Sequence, residues 1–364
     1  MTQQVKEKRY FDTFDAMRFF AFFCVFLGHS PSLNIPFFDT FQHSAGIGVK
    51  FFFTLSGFLI TYLILDEKEK NGKLNLKHFF IRRILKIWPL YYLMLLFAYC
   101  TPFILNVLGL TSSSVGYEPN WLLSVTFLEN YKMIFENQFP NVSPLAVMWS
   151  LCVEEHFYIL WGFVFYFLKT DKTPYLIVVC IIIALISKFV FVQQSWNTID
   201  IFTNLDTFAF GSIPAFLLGK DNFEKRITGI PYIYRIGIII ITVFAVVFVH
   251  CLEVSKYLNE LLFSSIFCIL FSIVIAFVVP KNNNIKIGHT HIFSRLGKYT
   301  YGLYLYHTII LILFMKIFAM IGININTLSG SLLYLVSTFF AVVLVSILSY
   351  YVFEVRFLRL KRKF

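Results

Sequence analysis

Two side chains at the borders of the first apolar run carry the clearest chemical signal. Arg18 and His29 bracket Phe19 to Leu27, a stretch too short to cross a bilayer by itself, since a span takes about 20 residues. Both therefore lie within the hydrocarbon or at its edge. Eleven residues at ~100° each make about three helical turns, which places the two side chains on one face roughly 16 Å apart along the axis. Asp15, three residues before Arg18, is within reach of the guanidinium. A guanidinium is suited to gripping anions, and an imidazole to moving protons near neutral pH. A snorkelling Arg18 and an interfacial His29 explain the same pattern without chemistry.

Three further groups place ionisable residues where lipid resists them, at about 3 kcal/mol each on insertion scales. Glu154 and Glu155 lie early in a strongly apolar run, and helical spacing aligns Ser150, Glu154, Tyr158 and Trp161. A carboxylate beside an imidazole would fix its tautomer, so Glu154 or Glu155 is expected to orient His29; the plainer reading is a structural ion pair. Arg82, Arg83 and Lys86 precede Trp88-Pro89. They read as a phosphate clamp or as simple anchoring of a span end. Tyr299, Tyr301, Tyr304, Tyr306 and His307 crowd one late run, with Thr300, Tyr304 and His307 near one face. That density of hydroxyls suggests a polar lumen, or else packing.

His43 falls in a predicted external loop, His78, His289 and His291 in internal ones, and His250 at a span end; none is assigned chemistry. The six cysteines form no C-x-x-C pair and mostly sit in apolar runs, as packing thiols do. No H-E-x-x-H, G-x-S-x-G or phosphate-loop pattern occurs, which weighs against a metallohydrolase, a triad hydrolase and an ATPase.

The elements that must hold these residues are membrane helices. Of 364 residues, 58% are hydrophobic and only 14% charged, against about 25% charged in soluble domains. Ten spans are expected, at 13–30, 46–65, 81–105, 146–168, 174–193, 204–219, 232–251, 258–279, 299–320 and 332–354. With the N-terminus inside, 26 of the 31 Lys and Arg fall on the inner side and three on the outer, the asymmetry expected of short cytoplasmic loops. Both termini then face the cytoplasm. The net charge of +11 follows from topology rather than nucleic-acid binding. The first run lacks a small-residue cleavage site and is expected to remain as a span. The longest external connection, 106–145, holds Tyr117, Glu118, Trp121, Glu129 and Tyr131, an aromatic and mildly acidic surface suited to sugar or to the membrane interface. The fold class is an all-α polytopic bundle, and residues 1–364 read as a single domain.

Several ordered blocks resemble the acyltransferase-3 family of multi-pass membrane acyltransferases. Arg18 and His29 match its Arg-x10-His signature. Phe51 to Phe58 looks like its Phe-Phe-x-Leu-Ser-Gly-Phe block, and Phe79 to Tyr92 like its Arg-Arg block. Trp149 to Tyr158 is similar to its Trp-Ser-Leu-x-Val-Glu-Glu-x-Phe-Tyr block, and Thr300 to His307 to its Ser-Tyr-Gly-Leu-Tyr-Leu-x-His block. Departures are Thr300 for Ser, His156 for Gln, Gly162 for Pro, and a closing Tyr350 to Glu354 block without its following Pro.

The resemblance implies a CoA-type acyl donor, usually acetyl, a carbohydrate acceptor, and a bacterial cell membrane. Arg82, Arg83 and Lys86 would hold the donor's phosphates and Arg18 its pantetheine arm. His29 would be the general base, or would carry the acyl group transiently. Glu154 or Glu155 would orient His29, a nearby Tyr or Ser hydroxyl would steady the oxyanion, and Asp15, Ser150, Tyr158, Tyr304 and His307 would support the site. The chain ends soon after its last span, so the additional esterase-like domain of some members is expected to be absent. No metal or resident cofactor is expected. The rival readings are a glycan transporter or flippase, since intramembrane charges also mark transport paths, and a membrane glycan polymerase. No inverted repeat favours the transporter.

Overall fold

The computed structural model describes residues 9–32, 45–107, 115–248, 255, 258–361 and 363–364, without the Ser143 side chain. His43, His250, Cys251, Lys6, Lys8 and Lys256 lie outside the described residues. Every regular element among those described is a helix.

Each of the ten expected spans coincides with a helix. These are α1 (Asp12–His29), α2 (Ala45–Asn71), α3 (Leu76–Val107), α7 (Trp149–Phe167), α8 (Thr173–Gln193), α9 (Ile201–Leu218), α11 (Tyr232–Phe248), α12 (Ser264–Val278), α14 (Thr300–Met320) and α15 (Leu328–Ser349). Between them run the short helices α4 (Trp121–Val125), α5 (Glu129–Glu136), α6 (Ser143–Val147), α10 (Phe223–Gly229) and α13 (Ile292–Gly297), and after them α16 (Val355–Lys361). By length and composition, seven of the described helices suffice to cross a membrane, or eight with α10 and α11 taken as one span bent by 88°. The helices α1 and α7 are not among the seven. They carry Asp12, Asp15 and Arg18, and Glu154, Glu155 and His156 respectively. These are the two helices with the densest chemistry, and their polarity is what lowers their hydropathy.

Local sequence explains where several helices begin and bend. Asp200 caps α9 by accepting the amides of Phe202 and Thr203 at 3.0 and 2.9 Å. Thr327 caps α15 through the amide of Gly330 at 3.2 Å. A π turn at Tyr350–Glu354 joins α15 to α16 and turns Tyr350 towards a central cavity.

The helices α2 and α9 cross with their backbones in close approach. A Cβ at Gly57 would collide with the Phe208 carbonyl, and one at Gly211 with the Thr54 carbonyl. The small residues let two backbones touch, as membrane helices do in the absence of a hydrophobic drive between them. Around this crossing lies an aromatic core. Phe157 stacks on Phe208 at 3.9 Å between centroids, and Phe208 on Phe53 at 4.8 Å. The crossing also fixes Ser56, the residue next to Gly57, against α7. The Gly297 Cα meets α1 in the same way, because any side chain there would strike the Asp15 carbonyl.

Candidate active site

A cavity of about 660 Å³ opens among α1, α2, α3, α7 and α14 and the Tyr350 turn. Its cations fall into two kinds. Arg18 pairs with Asp15 at 2.5 Å, and Arg82 with Glu67 at 2.7 Å. Arg83 and Lys86, one turn apart on α3, have no carboxylate within ion-pair distance among the described residues. Arg83 is only 8% exposed, with its guanidinium 5.9 Å from the Phe79 ring centroid and 5.8 Å from that of Tyr158. Its Nε has no hydrogen-bond partner. Among the described residues lining the cavity only Asp15 and Glu154 are acidic. Asp15 is taken by Arg18, and Glu154 accepts from the hydroxyls of Ser56 at 2.6 Å and Tyr158 at 3.2 Å. The cavity therefore holds uncompensated positive charge in a partly enclosed space. An anion can answer such charge without displacing a protein partner.

The cavity is also lined by Phe52, Ser150 and Tyr304. The Ser150 and Tyr304 hydroxyls lie 2.7 Å apart, and Tyr304 donates to the Val147 carbonyl at 3.0 Å. Beside Tyr304 sits a histidine pair. His307 is completely buried, and its Nδ1 donates to the Tyr304 carbonyl at 2.5 Å. A neutral imidazole with its proton on Nδ1 presents a lone pair at Nε2. That Nε2 faces Nδ1 of His29 at 3.3 Å, and the Val25 carbonyl is 2.9 Å from the same Nδ1. Both neighbours of His29 Nδ1 are acceptors, so the proton belongs there and the His29 lone pair lies on Nε2. His29 is itself exposed, at the end of α1. The arrangement is an open base steadied by a buried partner.

The sequence matches an acyltransferase domain model over residues 11–351. The chain belongs to the acyltransferase-3 family. It is 34% identical over 182 residues to the peptidoglycan O-acetyltransferase OatA of Listeria monocytogenes, covering 48% of this chain and 27% of that protein. It is 28% identical over 325 residues to the O-acetyltransferase OatA of Staphylococcus aureus, covering 84% of this chain and 51% of that protein. A putative peptidoglycan O-acetyltransferase of Bacillus subtilis, YrhL, is 32% identical over 44% of this chain and 24% of that protein. The chain thus spans between a quarter and a half of the length of these relatives. No solved structure matches it.

Against the acyltransferase-3 signature blocks, the structure unites some expected residues and separates others. Asp15, Arg18, Arg82, Arg83, Lys86, Ser150, Glu154, Tyr158 and Tyr304 all line the one cavity. The expected row along α7 continues to Trp161, which leaves the cavity and donates to Thr61 at 2.8 Å. Three expectations are corrected. First, neither carboxylate reaches His29: Glu154 is held by Ser56 and Tyr158, and Glu155 by Trp88 Nε1 at 3.2 Å. The partner of His29 is His307, brought there because α14 packs on α1. Second, Arg18 faces the cavity while His29 lies outside it. Tyr304 lines the cavity with Arg18, and its carbonyl accepts from His307, the partner of His29. Third, Glu129 does not face outward to sugar. It is 3% exposed and accepts from Tyr117, the Asn120 amide and Ser124. Tyr131 stacks on His156, while Trp121 of the same loop is exposed.

Tyr301, one of the tyrosines expected to mark a polar lumen, lines the cavity, but sequence reasoning gave no role to Ser56, Lys298 and Tyr350, which line it too. Ser56 stood in a quoted block and could have been found as its one hydroxyl beside a packing glycine. Lys298 was hidden among the inner-loop charges.

Proposed function

We propose that this chain is a multi-pass O-acyltransferase of a bacterial cell membrane. It passes an acyl group, acetyl by preference, from a CoA thioester on the inner side to a hydroxyl of peptidoglycan or a related surface carbohydrate on the outer side. Residues 1–364 act as one membrane domain of ten spans with both termini inside. The names of the bacterial relatives support the acetyl group and the cell-wall acceptor. The charge asymmetry of the loops supports the orientation. One observation carries the reading: the cavity offers Arg83 and Lys86 unpaired with carboxylates among the described residues, and Tyr304, which also lines it, is linked through its carbonyl to the His307–His29 pair.

In this reading Arg83 and Lys86 bind the donor's phosphates, and Arg18, aligned by Asp15, guides the pantetheine arm. The thioester comes to rest against Tyr304 and Ser150, and that hydroxyl pair parts to let the carbonyl meet His29. His29 Nε2 takes the proton of the acceptor hydroxyl as its oxygen bonds to the carbonyl carbon. The Tyr304 or Ser150 hydroxyl donates to the oxyanion. The carbon–sulfur bond then breaks, and the leaving thiolate takes the proton back from His29. His307 keeps the His29 proton on Nδ1 throughout, so the lone pair always faces the acceptor.

The test uses proteoliposomes containing the full chain, radiolabelled acetyl-CoA and a soluble peptidoglycan chain. Alkali-labile label on the glycan with the wild-type protein, absent with His29→Ala of equal thermal stability, is the expected result. Unabated labelling by His29→Ala would remove His29 from the chemistry. Glycan left unlabelled by the wild-type protein would remove the proposed acceptor.

A further inference from the structure

The cavity has a second cationic wall that none of the signature blocks contains. Lys298 lies between α13 and α14 and is exposed along the cavity. Three tyrosine rings surround its ammonium, at 4.6 Å to the Tyr350 centroid, 5.6 Å to Tyr351 and 5.8 Å to Tyr299. The Tyr299 and Tyr351 hydroxyls lie 3.2 Å apart and close the cage on one side. Ring faces attract the ammonium through their quadrupoles and consume none of its three N–H donors. No carboxylate pairs with Lys298 among the described residues. The ammonium is thus held in place with all its hydrogen-bonding capacity unspent.

The fold spends two special features on this placement. Gly297 lets α13 dock directly on the Asp15 carbonyl, which sets Lys298 beside the Asp15–Arg18 pair. The π turn at Tyr350–Glu354 brings Tyr350 to the cavity and leaves Tyr351 on its flank. An inner-loop lysine that merely anchors a span end needs neither device.

We propose that Lys298, positioned by Tyr350, binds a phosphate of the donor's nucleotide from the wall that α3 does not supply. The inference rests on the donor reading given above. CoA carries two separate anionic groups, a diphosphate and a ribose 3′-phosphate. One basic cluster on α3 answers one of them, and a cation from another element answers the other. A lysine suits this role as a point charge that needs no bidentate geometry.

The experiment measures binding and transfer separately, on the full chain in nanodiscs. CoA and pantetheine, which lacks the nucleotide, are the binding probes; their acetyl thioesters are the substrates. For Lys298→Gln, the CoA Kd and the acetyl-CoA KM should rise about tenfold, the scale of one lost charge-assisted contact. The kcat and the constants for pantetheine should stay unchanged. Lys298→Arg should restore most of the loss. Tyr350→Leu keeps the charge but opens the cage; it should weaken CoA about threefold and carries the test should Lys298→Gln fail to accumulate. Equal weakening of both probes, or no change in either, overturns the proposal. Wild-type protein that binds CoA but transfers no acetyl overturns the proposed activity alone, and the Lys298 effect on CoA Kd then stands by itself.

Discussion

Two regions of this bundle gather cations, and they differ in how far the protein neutralises them. Near the ends of α2, α8 and α9, Lys188 pairs with Asp206 at 1% and 0% side-chain exposure. Lys188 also donates to Ser264 at 3.0 Å, Lys50 donates to the same hydroxyl at 2.8 Å, and Lys50 lies 3.5 Å from Glu260. Thr198 donates to Glu260 at 3.1 Å. Two ammonium groups thus meet two carboxylates. In the central cavity, Arg83, Lys86 and Lys298 meet none among the described residues. Arg83 is nearly as enclosed as Lys188, whereas Lys86 and Lys298 are exposed towards the cavity; the balance of charge differs between the two regions. Intramembrane charge alone does not mark a functional site. Charge that the fold leaves unanswered, next to empty volume, does.

Breaking the closed network should have the largest effect. Asp206→Asn leaves Lys188 buried without its counter-ion and is expected to cost about 3–5 kcal/mol, seen as a large fall in melting temperature in detergent. The double change Lys188→Met with Asp206→Leu should recover most of it. Arg83→Gln should leave the melting temperature unchanged or raised, since it removes an unpaired charge. If both single variants lose equal stability, the contrast between the regions is false.

Chemistry comes next. His29→Ala should lower kcat by about 10²–10⁴-fold, the range for loss of a general base, with stability unaltered. Arg83→Gln combined with Lys86→Gln should raise the donor KM about 10- to 100-fold and leave the acceptor KM near its original value. An equal rise in both constants would mean that these cations only anchor the helix. A smaller change is expected at His307. His307→Leu should lower kcat about tenfold, while His307→Gln, which retains an acceptor group, should lose less. Equal losses from the two would indicate packing rather than orientation of His29.

The smallest effect lies outside the spans, where Arg9 donates to Glu224 at 2.7 Å and the Lys281 amide does so at 2.8 Å. Burial by itself would raise the Glu224 pKa, but the Arg9 hydrogen bond, the Lys281 amide and both positive charges hold it below the ordinary value. A depressed folded-state value stabilises the protein above the unfolded pKa, and that contribution disappears as pH falls through the folded one. Glu224→Gln should therefore cost only about 0.2–1 kcal/mol at neutral pH and should flatten the acid side of the stability curve.

Much of the bundle was legible because lipid makes apolar length a direct signal. The runs at 174–193 and 258–279 coincide with α8 and with the helix Asn259–Val278 almost to the residue. The runs at 13–30 and 146–168 were harder, since the residues that give them chemistry also take away their hydropathy. Within the site, Ser150, Glu154 and Tyr158 were legible because one helix places every fourth residue on one face. The pairing of His29 was not. Glu154 and His29 share no helix, and nothing in their spacing says that Ser56 holds one while His307 reaches the other. Lys298 was equally hidden, because its cage draws on Tyr299, Tyr350 and Tyr351, about fifty residues apart in the chain.

By itself, then, the sequence determined the helices and which faces of α1, α3, α7 and α14 are polar. These are properties of single segments in a solvent that punishes unpaired charge. Only the tertiary structure decided which carboxylates are spent on internal partners, which cations stay open, and that His307 links His29 to the Tyr304 carbonyl. Those outcomes depend on distances between helices, and close approaches such as that of Gly57 to Phe208 set those distances.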